Sequence, residues 1–140
     1  MAGEVVLGYD GEPGSRAALR TAVAIAAAFK RPLVIAFGYA PPAIGGDVAD
    51  LSKSIQDIGG KLTSEAVKIA NAADPSVTVI VELVNDRPAD AILRAAEQYD
   101  AFAIVVGATG RGPLKGALLG SATYQVVHRA TKPVVVVPSP

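Results

Sequence analysis

The sequence contains no cysteine and no tryptophan, and it has only one histidine and one methionine among 140 residues. The absence of cysteine excludes disulfides, thiol nucleophiles and metal sites with cysteine ligands, and it gives no sign of a secreted, disulfide-rich fold. The single histidine, His128, excludes a metal site built from several histidines. The chemistry of this chain therefore depends on carboxylates, hydroxyls, basic side chains and the backbone.

Charge of one sign and long hydrophobic runs are also missing. Thirteen basic residues balance thirteen acidic residues, whereas a nucleic-acid-binding protein normally carries a basic surplus or stripe, so we expect no nucleic acid as partner. The longest apolar run, Ala22 to Phe29, is far shorter than the roughly 20 residues of a membrane span. Because Met1 to Glu4 holds no basic region, we expect no signal peptide, no membrane contact and a cytoplasmic location.

What the sequence does have is a large aliphatic fraction. Hydrophobic residues make up 51% of the chain and aromatic residues only 5%. A chain of this length suits one domain over residues 1–140 with one aliphatic core.

Five short runs rich in valine and isoleucine alternate with four segments in which apolar residues recur every three or four positions. The runs predict buried strands and the segments predict amphipathic helices. The predicted strands are Glu4–Tyr9, Leu33–Tyr39, Val77–Val84, Ala101–Val106 and Val134–Val137. The predicted helices are Arg16–Lys30 with Ser15 as N-cap, Val48–Ala73, Pro88 to about Tyr99, and Ser121–Ala130. In the second helix, Gly59 and Gly60 each cost about 1 kcal/mol relative to alanine, which favours a bend or break.

Valine-rich strands without polar alternation are typical of parallel strands buried on both faces. We therefore predict an α/β fold, a doubly wound five-stranded parallel sheet of order 3-2-1-4-5 with helices on both faces. This order places a switch point between the first and fourth strands, where open α/β sheets bind ligands. It also leaves the uncharged strand Val134–Val137 at an edge, so we predict a homodimer that pairs through this strand.

The segment after the fourth strand has the composition of a phosphate-binding loop. Gly107, Gly110 and Gly112 allow backbone N–H groups to approach a ligand closely, and Gly120–Ser121 begins the last helix, whose N-terminus favours an anion. The segment matches neither the Walker A pattern nor the Rossmann fingerprint. A flexible surface loop followed by a serine N-cap is the alternative interpretation.

Polar side chains near this loop have two interpretations each. Arg111 and Lys115 could pair with phosphates or be solvated loop charges, and Thr109 could donate to a phosphate or cap a turn. Asp10, the only acid at the end of the first strand, could share Mg²⁺ or Mn²⁺ with phosphates, accept a ribose hydroxyl or close a turn. His128 lies in the last turn of its helix with no acid nearby in the sequence, so we predict no catalytic role for it.

The spacing of the loop resembles a known signature. Gly107 and Gly110 are separated by two residues, nine residues lie between Gly110 and Gly120, and Ser121 follows directly. This resembles the G-x2-G-x9-G-[S/T] pattern of the universal stress protein family, in its nucleotide-binding branch. The opening strand that ends at Asp10 and the closing segment Lys132–Pro138 extend the resemblance to nearly the whole chain. Relatives often have Asp at the start of the fourth strand, where this chain has Phe102.

The resemblance implies a site for ATP in which the loop holds the triphosphate, Asp10 lies near the ribose and phosphates, and the backbone near Phe37 cradles adenine. The residues implied to bind the nucleotide are Gly8, Tyr9, Asp10, Phe37, Gly107, Thr109, Gly110, Arg111, Gly112, Gly120, Ser121 and Ala122. Mg²⁺ or Mn²⁺ would be shared between Asp10 and the phosphates. We therefore predict a cytoplasmic ATP-binding regulatory protein of the stress response, with no catalytic residue.

Two other classes of function stay open. An enzyme that slowly hydrolyses ATP or transfers an adenine nucleotide would need a second acid beside Asp10, or a base to orient water, and the sequence supplies neither. Asp86 and Thr109, after the third and fourth strands, suggest a phosphoacceptor domain. Such domains have paired acids after the first strand and a lysine after the fifth, whereas here Asp10 stands alone and Lys132 precedes the fifth strand.

Overall fold

A computed structural model describes residues 3–39, 48–108 and 119–139 of the chain. Strands and helices alternate along it. The strands are β1 (Val5–Gly8), β2 (Leu33–Gly38), β3 (Val79–Val84), β4 (Ala103–Gly107) and β5 (Val134–Val137). The helices are α1 (Pro13–Phe29), α2 (Val48–Ala73), α3 (Pro88–Gln98) and α4 (Ser121–Arg129).

The five strands form one parallel sheet in the order β3-β2-β1-β4-β5, which confirms the predicted fold and strand order. Val5 of β1 pairs with Leu33 of β2 on one side and with Ala103 of β4 on the other. Every residue of β1 and of β4 is buried. The valine-rich runs therefore form the centre of the sheet, where both faces are covered.

Two aliphatic clusters, one on each face of the sheet, form the core. On one face, α1 and α2 cover Val5, Leu7 and their neighbours. On the other face, α3 and α4 cover Val6, Val34 and Ile104. The helices contribute mainly alanine to these clusters. Short side chains let each helix lie close to the sheet, which explains how a chain with few aromatics fills its interior.

Two details of the helices differ from the prediction. The first is the start of α1, which begins at Pro13 with Glu12 as its N-cap residue, so the prediction of Ser15 as N-cap was wrong. Proline is suited to the first helical position because it has no N–H that would need a partner. The second is α2, which continues without interruption through Gly59 and Gly60, so the predicted break is absent.

The outer strands of the sheet are β3 and β5. All four valines of β5 are half-buried, in contrast to the buried central strands. Within residues 3–39, 48–108 and 119–139, no helix is long and apolar enough to cross a membrane.

Candidate functional site

A pocket opens at the carboxyl ends of β1 and β4, where the chain leaves the sheet toward α1 on one face and α4 on the other. This is the switch point that the strand order predicts. The pocket has a volume of about 70 Å³. Among the predicted binding residues, the structure brings Gly8, Tyr9, Asp10, Gly107, Gly120 and Ala122 to its walls.

The remaining predicted residues fall elsewhere. Phe37 does not line the pocket, and Ser121 lies at its border as the exposed first residue of α4. Thr109, Gly110, Arg111 and Gly112 lie outside the described residues, as does Lys115. The pocket walls also include residues that the sequence analysis missed: Ser15, Ala36, Gly38, Pro88, Ile92, Val106 and Thr123. Of these, Ser15 had a signal in the sequence, because it follows the glycine- and proline-containing turn after Asp10.

Asp10 is held in place by the start of α1. Its Oδ1 atom accepts hydrogen bonds from the Glu12 backbone N–H at 2.9 Å and from the Ser15 hydroxyl at 2.8 Å. The Ser15 oxygen in turn accepts from the Asp10 N–H at 3.3 Å. Within the described part of the chain, Oδ2 receives no hydrogen bond. The carboxylate therefore has one oxygen committed to the fold and one available at the pocket.

The first turn of α1 lies directly against the end of β4. A Cβ atom on Gly107 would be only 2.7 Å from the carbonyl carbon and oxygen of Gly14. Any side chain at position 107 would push α1 and β4 apart, because both contacting atoms belong to the backbone. Glycine at this position thus brings the N-terminus of α1 to the pocket.

The two ends of the glycine-rich loop meet at the same place. The Gly120 N–H donates to the Ala108 carbonyl at 2.9 Å, and the buried Thr123 hydroxyl donates to the Gly107 carbonyl at 2.6 Å. These two hydrogen bonds tie the start of α4 to the end of β4. Ala108 and Gly120, which stand on either side of the glycine-rich segment in the sequence, therefore lie next to each other.

The N-termini of α1 and α4 both lie at this pocket. The N-cap residues are Glu12 and Gly120, and neither makes a side-chain capping hydrogen bond. The first N–H groups of a helix have no partner within the helix and carry partial positive charge. Two such helix ends at one pocket create an environment that favours an anion.

At the end of β2, the backbone of Gly38 faces the pocket. The Tyr9 N–H donates to the Ala36 carbonyl at 3.1 Å, so Ala36 directs its backbone groups toward β1. Alternate residues of a strand direct these groups to opposite sides. Gly38 therefore points past the end of β1, whereas Phe37 points toward β3, where it is paired with Leu83.

The other candidate side chains do not line the pocket. His128 is exposed near the end of α4, with its ring 4.2 Å from the ring of Tyr124. Lys132 and Asp100 form an ion pair. They precede β5 and β4, so they lie at the amino ends of the strands, whereas Asp10 lies at the carboxyl ends. Asp86 pairs with Arg94 at 3.2 Å. Asp10, Asp86 and Lys132 are thus not brought together by the described residues, and these contain no group of three or more potential metal ligands.

Comparison with known sequences identifies relatives along the whole chain. The universal stress protein family matches residues 1–138. The universal stress protein Rv2005c of Mycobacterium tuberculosis is 33% identical over 136 residues, which cover 94% of this chain and 44% of the relative. A universal stress protein of Thermus aquaticus is 31% identical, with 95% of this chain and 96% of the relative covered. The chain thus spans less than half the length of the mycobacterial relative.

Comparison with solved structures agrees. A universal stress protein crystallised in complex with cAMP superimposes with a TM-score of 0.80 at 30% identity, covering 99% of both chains. The universal stress protein UspA from Lactobacillus plantarum has a TM-score of 0.83 at 22% identity, covering 97% of both chains, and at this identity the likeness concerns the fold alone. From the match over residues 1–138 and the relatives above 30% identity, the chain belongs to the universal stress protein family.

Proposed function

We propose that this chain binds an adenine nucleotide, namely ATP, and acts as a regulatory protein whose nucleotide occupancy is the signal. The observation that carries the proposal is the meeting of two helix N-termini at the pocket between β1 and β4. Each N-terminus is equivalent to roughly half a positive charge. Together with the backbone of the glycine-rich loop, they are suited to a chain of phosphates.

A divalent cation completes this arrangement. The carboxylate of Asp10 lies among the groups that attract phosphate, and it would repel the phosphates unless a cation lay between them. Mg²⁺ and Mn²⁺ bind through one or two carboxylates together with phosphate oxygens and water. Asp10 Oδ2, which receives no hydrogen bond from the described residues, is the atom we assign to this cation.

Adenine fits the end of β2. The Gly38 backbone presents one N–H donor and one C=O acceptor past the end of β1, and the edge of adenine offers the complementary acceptor and donor. Pro88 and Ile92 provide an apolar wall on the side of α3. The solved relative in complex with cAMP, 30% identical to this chain, also supports an adenine ligand. The pocket volume of about 70 Å³ is below the 300–1,000 Å³ typical of pockets for whole ligands, so the nucleotide extends beyond it.

Binding without efficient turnover follows from the nature of these groups. Asp10 is the only carboxylate among the described residues that line the pocket, and one of its oxygens is already hydrogen-bonded. N–H donors that hold phosphates alike in the ground state and the transition state lower the dissociation constant without raising the rate. We therefore propose that any hydrolysis of ATP is far slower than roughly 1 per second, which is the lower end of typical enzyme turnover numbers.

The test of the phosphate site uses Ser121, the first residue of α4, with a matched pair of substitutions. Ser121→Asp places a carboxylate at the helix N-terminus, where it stabilises the helix but competes with phosphate. We expect ATP affinity measured by titration calorimetry to fall at least tenfold, or about 1.4 kcal/mol. Ser121→Asn, whose side chain has the shape of aspartate without its charge, should lose much less affinity than Ser121→Asp, because only the charge differs between the two variants.

Two outcomes would contradict the proposal. Equal ATP affinity of the Ser121→Asp and Ser121→Asn variants would show that the phosphates do not lie at α4. A phosphate-release rate near one per second in the wild type, abolished in Ser121→Asp, would instead favour the hydrolase. Mass spectrometry of nucleotide released from the heat-denatured protein identifies the natural ligand.

A further inference from the structure

The two adjacent glycines of α2 differ sharply in what surrounds them. A Cβ atom on Gly59 would lie 2.6 Å and 2.7 Å from Cε1 and Cδ1 of the Phe37 ring, too close for any side chain without movement. A Cβ atom on Gly60 would meet nothing within 4 Å. Both glycines weaken the helix by about 1 kcal/mol relative to alanine. Of the two positions, only Gly59 lies against a neighbour that leaves no room for a side chain, so only there does the structure explain why a glycine is present.

The Phe37 ring cannot yield easily to a larger residue in α2. Phe37 is only 8% exposed, and its backbone is fixed in the sheet by pairing with Leu83 of β3. On the other side of the contact, the buried Thr63 hydroxyl donates to the Gly59 carbonyl at 2.7 Å. We therefore expect displacement of the ring to move the end of β2, because the ring is buried and the helix turn at Gly59 is held by the Thr63 hydrogen bond.

Phe37 immediately precedes Gly38, whose backbone faces the pocket. Moving the ring tilts the strand end, and with it the N–H and C=O groups of Gly38. The next residue, Tyr39, donates its N–H to the Val84 carbonyl at 2.9 Å, so the same disturbance reaches the last hydrogen bond between β2 and β3. The Phe37 side chain thus connects Gly59 of α2 to the strand end at the pocket.

We infer that Gly59 is a positioning residue for the adenine-binding end of β2, which it controls through its close contact with the Phe37 ring. This inference rests on the proposed nucleotide site and deepens it, because it assigns recognition of the base to the fit between α2 and β2. Gly59 does not touch the nucleotide. The absence of a side chain at Gly59 allows the Phe37 ring to take the position in which the Gly38 N–H and C=O groups are oriented toward the base.

The experiment compares Gly59→Ala with Gly60→Ala in the full chain. Both substitutions gain the same helix propensity, so the pair isolates the Phe37 contact. The readout is the ratio of the dissociation constants for GTP and ATP, measured by titration calorimetry. We expect Gly60→Ala to keep the wild-type ratio and Gly59→Ala to lose ATP affinity by about tenfold, roughly the effect of one to two hydrogen bonds, while GTP binding changes little.

A second readout needs no nucleotide. Hydrogen exchange of the Tyr39 amide should become faster in Gly59→Ala and stay at the wild-type rate in Gly60→Ala. A further variant, Gly59→Ala combined with Phe37→Leu, removes ring atoms that collide with the new methyl group. It should recover part of the lost ATP preference, which a merely destabilised protein would not do.

The outcomes separate this inference from the proposed function. If the wild type binds ATP and Gly59→Ala has the same ratio as Gly60→Ala, the positioning role is wrong and the nucleotide site stands. If Gly59→Ala loses ATP and GTP binding equally, the contact supports the fold in general and does not position the base. If the wild type binds neither nucleotide, the proposed function fails and takes the base-positioning role with it, while Tyr39 exchange still reports whether Gly59 controls the strand end.

Discussion

At the scale of single residues, Asp10 shows how one side chain serves both the fold and the site. Its Oδ1 accepts the Glu12 N–H and the Ser15 hydroxyl, which fixes the turn that leads into α1. Oδ2 is left for the ligand that we propose. Because the two roles use different atoms, a substitution that keeps one oxygen and removes the charge separates them.

Asp10→Asn is that substitution. The amide oxygen can still accept the two hydrogen bonds, so we expect the free energy of unfolding to change by less than about 1 kcal/mol. Affinity for ATP with Mg²⁺ should fall about tenfold, because a neutral amide is a poorer ligand for a divalent cation. Affinity in the presence of EDTA should stay equal or rise, since the repulsion between carboxylate and phosphates is gone. Calorimetric titrations that shift equally under both conditions would place the metal away from Asp10.

Thr123 lines the pocket, and its hydroxyl group is hydrogen-bonded to the backbone at the end of β4. Thr123→Val keeps the shape of the side chain but leaves the Gly107 carbonyl without the hydroxyl that it accepts at 2.6 Å. We expect a loss of about 1–3 kcal/mol in the free energy of unfolding, because the hydrogen bond is buried. Thr131→Val is the control, since its hydroxyl makes an exposed hydrogen bond to Glu97, and it should change stability by about 0.5 kcal/mol or less. Urea denaturation of both variants measures the difference.

At the scale of elements, one hydrogen bond joins the end of α3 to β3 at an edge of the sheet. The Tyr99 hydroxyl donates to a carboxylate oxygen of Glu82. This hydrogen bond, with smaller contributions from burial and from the negative charges of Glu82 and Glu4, raises the pKa of Tyr99 to about 12 from its ordinary value of 10. The neutral phenol is therefore favoured in the folded protein.

The raised pKa of Tyr99 makes the free energy of unfolding depend on pH in the alkaline range. The folded protein holds the Tyr99 proton up to a pH of about 12, whereas the unfolded chain releases it near 10, so the stabilisation is complete below pH 10 and is lost as pH rises through 12. Tyr99→Phe should remove this part of the alkaline loss of stability. Tyr124→Phe, a change on the exposed face of α4, should leave it intact. Chemical denaturation at pH 9 to 12 tests this, and identical alkaline profiles for the two variants would contradict it.

At the scale of the whole molecule, β5 is an edge strand with half-buried valines and without a charge. Val135 and Val137 pack against the α1–α2 cluster, and Val134 and Val136 pack against the α3–α4 cluster. A lysine at any of these positions would therefore disturb the core as well as the edge. The backbone offers a cleaner test of the homodimer that we predict through this strand.

Val136→Pro is the variant for that test. The carbonyl groups of Pro133 and Val137 accept hydrogen bonds from β4, so by alternation the Val136 N–H points to the free edge. Proline removes this donor and blocks edge pairing while the β4–β5 hydrogen bonds persist. We expect a monomer by light scattering. Val136→Ala loses a comparable amount of side-chain packing but keeps the N–H, and it should stay dimeric. A monomeric wild type, or a dimeric proline variant with intact circular dichroism, would contradict pairing through β5.

The order of the elements and the parallel sheet could be predicted from the sequence, and so could a pocket at the switch point between β1 and β4. These features depend on local patterns, namely valine-rich runs, helical periodicity and the spacing from Gly107 to Gly120–Ser121, and such patterns can be recognised from residues close together in the chain. Element ends were less predictable. Pro13 extends α1 beyond the predicted start, because the Ser15 hydroxyl bonds to Asp10 and does not cap the helix.

By contrast, the atoms that face the pocket and the reason for certain glycines depend on contacts between distant parts of the chain. Gly38 presents its backbone there and Phe37 does not, because the register between β1 and β2 sets the direction of each N–H and C=O. Gly59 lies within the continuous helix α2, and its missing side chain leaves room for the Phe37 ring. Gly107 likewise has no side chain, which leaves room for the backbone of Gly14. These contacts join residues far apart in the chain, and their physical basis, close packing between a helix and a sheet, leaves no signal in a local pattern.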